Sequence, residues 1–293
     1  MTVPEWLRAE LTRDYGESET ERICGGFCKR PASFRVNSLK ADRETLLSSF
    51  AAAGIAYHNV PWQEDCFITE NTEAELKVLP AYERGEFYLQ SLSSALPPLF
   101  LEPRAGENIL DMCAAPGGKT AQLFALSGGK ALLCAVERDK IRCDRLRYNL
   151  KKQGVNATVL NTDALKLDEF MRFDKILLDA PCSGSGTLTP DAPLKISEKL
   201  KNNCAILQEK LLLKGIKLLK KGGRMVYSTC SVCKAENERV VTRALSCGGV
   251  RLLPFDEARF SALPRLIGME NTLTVCPNGQ YEGFFVAVLE KTP

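Results

Sequence analysis

The chain has 293 residues, 45% hydrophobic and 26% charged, which suits an enzyme core plus one smaller domain and excludes a disordered or collagen-like polymer. Its 39 basic and 36 acidic residues leave a formal charge of +3, a balance that permits a local basic patch for a nucleic acid but does not demand one. The longest apolar runs are too short to span a bilayer and the first residues lack the apolar core of a signal peptide, so no membrane partner and a cytoplasmic location are expected.

Residues 3–30 read as amphipathic helix, with Trp6, Leu7, Leu11 and Ile23 apolar. Residues 32–39 alternate through Phe34, Val36 and Leu39 as a strand does, and Arg43 to Ala53 follows as a helix stopped by Gly54. A small α/β module over residues 1–88 is the reading, with a second domain over 89–293. From Gln90 onward short apolar strands alternate with helices: strands at 108–112, 131–136, 157–160, 175–179 and 224–228, and helices at 119–126, 139–153 and 197–220, the last ended by Gly222-Gly223. Leu200, Cys204, Leu207, Leu211 and Leu218 share one side of that long helix. A final strand occupies 283–289. Buried strands separated by helices imply an α/β, Rossmann-like sheet, mostly parallel and covered on both faces.

Twelve cysteines are many, but Cys134, Cys143 and Cys204 fall inside apolar elements and read as reduced core thiols. The Cys24/Cys28 and Cys230/Cys233 spacings are metal-like, yet the sole histidine is His58, in a loop-like segment, and no metal is expected. With one distant histidine, imidazole acid/base chemistry is not expected either.

The stretch Asp111-Met-Cys-Ala-Ala-Pro-Gly-Gly-Lys-Thr120 follows a strand and opens a helix, where glycines admit a ligand to backbone N–H groups. A phosphate-binding loop would need glycine at Cys113, and a dinucleotide fingerprint would need three spaced glycines, so neither fits. S-adenosylmethionine does: Glu137 ends the next strand, where a carboxylate can hold both ribose hydroxyls, and Asp163 follows the third strand, towards the adenine end. Taken alone, each acid could be a solvated strand end.

Two further turns, Asp179-Ala-Pro-Cys-Ser-Gly-Ser-Gly186 and Tyr227-Ser-Thr-Cys230, end the fourth and fifth strands of this domain. Ligands in open α/β sheets bind beyond such ends, so Cys182 and Cys230 face the same cleft. A thiolate there could add to carbon 6 of cytosine and make carbon 5 nucleophilic enough to take a methyl group.

These motifs together resemble the Fmu/Sun family of S-adenosylmethionine-dependent RNA cytosine-5 methyltransferases. The resemblance runs through Phe34-Arg-Val-Asn-Ser-Leu-Lys40, Tyr88-Leu-Gln-Ser-Leu-Ser-Ser94, Glu236-Asn237-Glu238 and Glu282-Gly-Phe-Phe-Val-Ala287, nearly the whole chain in order. It implies a seven-stranded sheet with an antiparallel last strand, an RNA-recognition role for residues 1–88, and ribosomal or transfer RNA as partner of a monomeric enzyme. It also implies that Cys230 is the nucleophile, that Cys182 assists release of product, and that Lys119 and Asp179 hold the target base. DNA cytosine methyltransferases use the other cysteine as nucleophile, so this choice rests on the family and not on spacing. Cofactor contacts implied are Cys113, Ala114, Ala115, Pro116, Gly117, Gly118, Lys119, Glu137, Asp163 and Asp179, with Arg142 supporting Glu137. Two stretches depart from the family: Cys233-Lys-Ala-Glu-Asn237 replaces Pro-Glu-Glu-Asn, and Thr189 to Pro193 replaces an arginine-rich run. Lys195, Lys199 and Lys201 are then the candidates to grip the RNA backbone, although lysines on a helix usually form a solvated face. The last strand lies close to the end of the sequence, and no RNA-binding domain is expected to follow it. A methyltransferase acting on protein or small molecules, and a non-catalytic RNA-binding or ribosome-assembly factor of the same fold, are the alternatives. The first has no use for paired cysteines, and the second would be expected to have lost one.

Overall fold

The computed structural model describes residues 3–191 and 196–292. The long N-terminal helix of the sequence reading is two helices, α1 (Glu5–Tyr15) and α2 (Glu17–Gly25), because Gly16 takes φ +83° between them. Strand β1 (Ala32–Val36) leads to α3 (Arg43–Ala52), whose first turn is capped by Asp42 accepting from Thr45 N at 3.0 Å. Then come β2 (His58–Val60), β3 (Gln63–Thr69), α4 (Glu73–Lys77), α5 (Pro80–Arg84) and β4 (Phe87–Leu89). Their sheet, β2-β3-β1-β4, is antiparallel throughout. His58 therefore lies on an exposed edge strand and not in a loop.

Alternation along β1 explains how this sheet sits. Phe34 and Val36 point into a core with Phe50, Phe67 and Phe87, and the rings of Phe34 and Phe67 stack at 5.2 Å. Arg35 points the other way, to Gln90 Oε1 (3.3 Å) and the Gly118 carbonyl (3.4 Å). Asn37 follows and donates to the carbonyls of Gly85 (2.8 Å) and Gln153 (2.9 Å). One strand thus fastens the small sheet to the second half of the chain.

That half comprises α6 (Leu96–Leu101), β5 (Asn108–Asp111), α7 (Gly118–Leu126), β6 (Leu132–Val136), α8 (Lys140–Gln153), β7 (Ala157–Leu160), β8 (Phe173–Asp179), α9 (Glu198–Leu218), β9 (Leu219–Thr229), α10 (Glu238–Ser246), β10 (Val250–Leu252), β11 (Thr272–Val275) and β12 (Phe284–Lys291). The sheet runs β10-β12-β9-β8-β5-β6-β7, with β9 to β7 parallel and β12 antiparallel to β9. The mostly parallel Rossmann-like sheet with an antiparallel last strand is present. It holds eight strands instead of seven, because one edge position beside β12 is shared by β10 and β11. Ile109, Leu177 and Val226 pack on one face and Leu110, Ile176, Leu178, Met225 and Tyr227 on the other.

Two local readings change. Gly222-Gly223 does not end the long helix, which stops at Leu218; the chain passes directly into β9. The extra residues before Arg224 make a bulge against β8, and a Cβ on Gly223 would lie 2.8 Å from the Asp174 carbonyl. On α9, Cys204, Leu211 and Leu218 are buried but Leu200 is exposed.

Lys201 is a correction of another kind. It is buried, ion-paired to the equally buried Glu10 of α1, and lies over the Trp6 ring at 5.5 Å. It joins two helices and offers nothing to an RNA backbone. Lys199 is exposed, and Lys195 lies outside the described residues.

Candidate active site

Strand order reverses between β5 and β8, and the site lies beyond the carboxyl ends of these strands and of β6 and β9. From β5 the chain turns through Cys113 to Gly117, which has φ +109°, into α7, whose N-terminus carries no side-chain cap. An uncapped helix start leaves N–H groups and a positive dipole end for a ligand. Gly118 is required by contact: a Cβ there would meet the Tyr88 ring at 2.5 Å.

Two cavities flank this turn and share Cys113. The larger, about 200 Å³, is walled by the turn, by Lys119 and Asp179, and by Tyr88, Gln90 and Ser94 of the segment leaving the N-terminal sheet. The smaller, about 60 Å³, is lined by Glu137, Arg142, Asp163 and the apolar Leu207 and Leu211 of α9. The structure therefore brings together the sequence-selected residues of four separate strand ends. Glu137 is buried; its Oε1 accepts from Asp139 N at 2.9 Å and its Oε2 lies 3.5 Å from Arg142, which also donates to the Ala115 carbonyl at 3.0 Å. Asp163 caps the following turn through Leu165 N at 2.9 Å. Gly117 faces Leu146 of α8 instead, 3.0 Å from where its Cβ would be, and lines neither cavity.

Lys119 and Asp179 form an ion pair at 2.8 Å, and Ser94 Oγ lies 3.3 Å from the ammonium. Burial opposes the charge on Lys119, but Asp179, with Cys230 and Asp111 nearby, outweighs it and holds the lysine above its ordinary range. Asp179 accepts a second hydrogen bond from Ser228 at 2.8 Å. Beneath them Asp111 is buried and accepts from Thr120 Oγ1 at 2.7 Å, while its Oδ1 has no partner. Burial first, and then Asp179, push the Asp111 carboxyl up to about 7.

Cys182 and Cys230 stand on the turns after β8 and β9, with their sulfurs 3.1 Å apart and both side chains partly exposed. Neither lines the two cavities, although Asp179 lines the larger and Pro181, just before Cys182, lines the smaller. The contact with Cys230 and then burial raise the Cys182 thiol well above its ordinary range. Cys134, Cys143 and Cys204 are buried, as core thiols should be. Cys24 and Cys28 are unpaired and partly exposed, and among the described residues no group of three His, Cys, Asp or Glu side chains could hold a metal ion.

Asp111, Tyr88, Gln90, Ser94 and Glu236 all lie in the motifs above, but nothing in those motifs marks a role for them. Their part depends on neighbours far along the chain, which the motifs alone do not give.

A family model described as 16S rRNA methyltransferase RsmB/F matches residues 98–290, and one described as the RsmF/B-like ferredoxin-like domain matches residues 3–74. The chain belongs to the RsmB/F methyltransferase family. Ribosomal RNA small subunit methyltransferase F of Shewanella woodyi is 36% identical over 272 residues, covering 88% of this chain and 57% of that protein. The human 28S rRNA (cytosine(4447)-C(5))-methyltransferase is 33% identical over 284 residues, covering 89% of this chain and 34% of its own length. The chain thus spans about a third to just over half the length of these relatives. Among solved structures, a methyltransferase homolog protein from Pyrococcus horikoshii superposes with a TM-score of 0.84 at 33% identity, covering 99% of this chain and all of the other. NSun6 from Pyrococcus horikoshii, solved with SFG, gives 0.88 at 25% identity over 99% and 98%. No helix among the described residues is long and apolar enough to cross a membrane.

Proposed function

We propose that this chain transfers a methyl group from S-adenosylmethionine to carbon 5 of a cytosine in structured RNA, through a covalent bond between Cys230 and carbon 6 of the base. The observation that carries the reading is the pair of thiols 3.1 Å apart beside the Lys119–Asp179 ion pair. The relatives named as rRNA (cytosine-C5)-methyltransferases support ribosomal RNA as the substrate, with transfer RNA the second candidate.

The cofactor fits the donor set. Glu137 lines the smaller cavity with its Oε2 held only by Arg142 at 3.5 Å, which suits ribose hydroxyls; Asp163 with Leu207 and Leu211 suits an adenine, and the uncapped start of α7 with the Cys113–Lys119 turn suits the charged amino-acid end. SFG, an S-adenosylmethionine analogue, accompanies the NSun6 structure. When bound, S-adenosylmethionine supplies the electrophilic methyl group.

The side chains of this chain do the rest. Cys230, as thiolate, adds to carbon 6. Lys119, kept charged by Asp179, donates a hydrogen bond to the ring as negative charge grows there, and Asp179 orients the exocyclic amine. Carbon 5 takes the methyl and then gives its proton to a solvent water acting as base; the electrons of that C–H bond re-form the ring double bond and expel Cys230 as a thiolate, to which the Cys182 thiol can donate a hydrogen bond. Cys182, held as a thiol next to that sulfur, assists the departure. Residues 1–88 would present the RNA, and Tyr88 of β4, which lines the larger cavity, supports that placing.

The test is the pair Cys182→Ala and Cys230→Ala incubated with ribosomal RNA and cofactor. The first is expected to accumulate a protein–RNA adduct that survives denaturing electrophoresis; the second is expected to form none and to leave no 5-methylcytosine. The reverse pattern would exchange the two roles.

A further inference from the structure

Between the two cysteine turns lies a carboxylate that the chemistry above does not use. Glu236, just before α10, is fully buried, and among the described residues it has no cationic partner. Its Oε1 accepts from Ser183 N at 2.7 Å and from Gln208 Nε2 at 3.3 Å; its Oε2 accepts from Ser183 Oγ and Ser231 Oγ, both at 2.6 Å. Ser183 follows Cys182 and Ser231 follows Cys230. A single side chain therefore holds the residue next to each thiol. Four donors on one carboxylate offset the cost of its burial, and charge-assisted bonds of this length are the stronger kind.

The hydroxyl protons can be placed in one consistent order. Ser231 spends its proton on Glu236, so the 2.8 Å contact with Ser185 must be donated by Ser185. Ser185 in turn accepts from Val232 N at 3.1 Å, and Ser231 accepts from Cys233 N at 3.0 Å. Ser183, Ser185 and Ser231 thus each have a place in a network that ends on Glu236. The far side is closed as well: Tyr15 of α1 donates to the Val232 carbonyl at 3.1 Å, and Gly186 N donates to the Cys230 carbonyl at 3.0 Å.

We propose that Glu236 is a positioning residue for the methyl transfer: by joining the Cys182 turn to the Cys230 turn, its carboxylate sets the separation of the two thiols on which adduct formation and release both depend. The dependence on catalysis rests on the function proposed above; the geometric part does not. Among the described residues no other side chain hydrogen-bonds both residues that follow the two cysteines. The carboxylate also adds, after the Cys230 contact and burial, to what keeps Cys182 in its thiol form.

Thiol separation can be read without RNA. Mild diamide oxidation of the full chain, followed by peptide mass spectrometry, reports the rate at which a Cys182–Cys230 disulfide forms. The sulfurs need close only from 3.1 Å to a bonding distance of about 2.05 Å. Glu236→Gln has the same shape but turns an amide N–H₂ towards donors. At a temperature where both proteins are folded by circular dichroism, its disulfide is expected to form at least tenfold more slowly than in wild type. Ser231→Ala, which removes one donor, is expected to slow it about threefold, and it stands in if Glu236→Gln does not fold. On ribosomal RNA, Glu236→Gln is expected to lose at least tenfold in kcat, with KM for S-adenosylmethionine within twofold. A disulfide that forms in Glu236→Gln at or above the wild-type rate, no disulfide in wild type, or an unchanged kcat would each overturn the proposal. Absence of methylation by wild type with a normal disulfide contrast would sink the proposed function and leave the positioning of the thiols standing.

Discussion

Replacing Asp111 by asparagine isolates one buried charge and its pH dependence. Asp111 is 1% exposed and receives one hydrogen bond, from Thr120, on one oxygen only. Burial, with Asp179 adding to it, moves the carboxyl from 3.8 to about 7. At about 1.4 kcal/mol per pH unit this is about 4 kcal/mol between the two protonation states. The folded carboxyl has the raised value, so the folded chain holds a proton that the unfolded chain releases. The stability from this group is therefore complete below about pH 4 and is lost as pH rises to about 7. Between pH 5 and pH 8 the wild type should lose about 3 kcal/mol through Asp111 alone. Asparagine keeps an oxygen to accept from Thr120 and carries no charge. Urea denaturation of both proteins at pH 5 and pH 8 checks this, because titrating groups not coupled to Asp111 cancel in the difference. Asp111→Asn should gain about 3 kcal/mol relative to wild type between the two values. A difference that does not change with pH would refute the claim that burial controls this carboxyl.

Other outcomes follow from contacts of similar definition. Gly186→Ala places a Cβ 2.0 Å from the Gly283 carbonyl oxygen, a backbone atom that cannot rotate away, so a loss of at least about 3 kcal/mol is expected by urea denaturation. Lys201→Met leaves the buried Glu10 carboxylate without its ammonium and should cost about 3 kcal/mol, again by urea denaturation. RNA affinity, measured by filter binding, should not change in Lys201→Met, since that side chain is turned inward.

The local chemistry of this protein is written in its sequence. Strand-ending motifs placed the Cys113–Lys119 turn, Glu137, Asp163, Cys182 and Cys230 at one end of a sheet, because in a parallel sheet every carboxyl end faces the same side. The alternation of Phe34, Val36 and Leu39 likewise marked a strand, which ends at Val36 and buries Arg35 as well. Short strands such as β2 and β4 were not legible, since three residues carry too little periodicity, and the β10–β11 sharing of one edge depends on partners far along the chain. Lys201 looked like one more surface lysine until α1 supplied Glu10 and Trp6.

The cysteines divide in the same way. Sequence determined that two thiols stand at the ends of neighbouring strands. Only the tertiary structure decided that they lie 3.1 Å apart, that Lys119 is paired with Asp179 beside them, and that Glu236 ties their turns together. Distances of this kind come from closing a loop between segments some fifty residues apart, and a buried carboxylate acquires its partners only when those segments have met. A one-dimensional motif carries the residue types that chemistry needs; packing carries their separation.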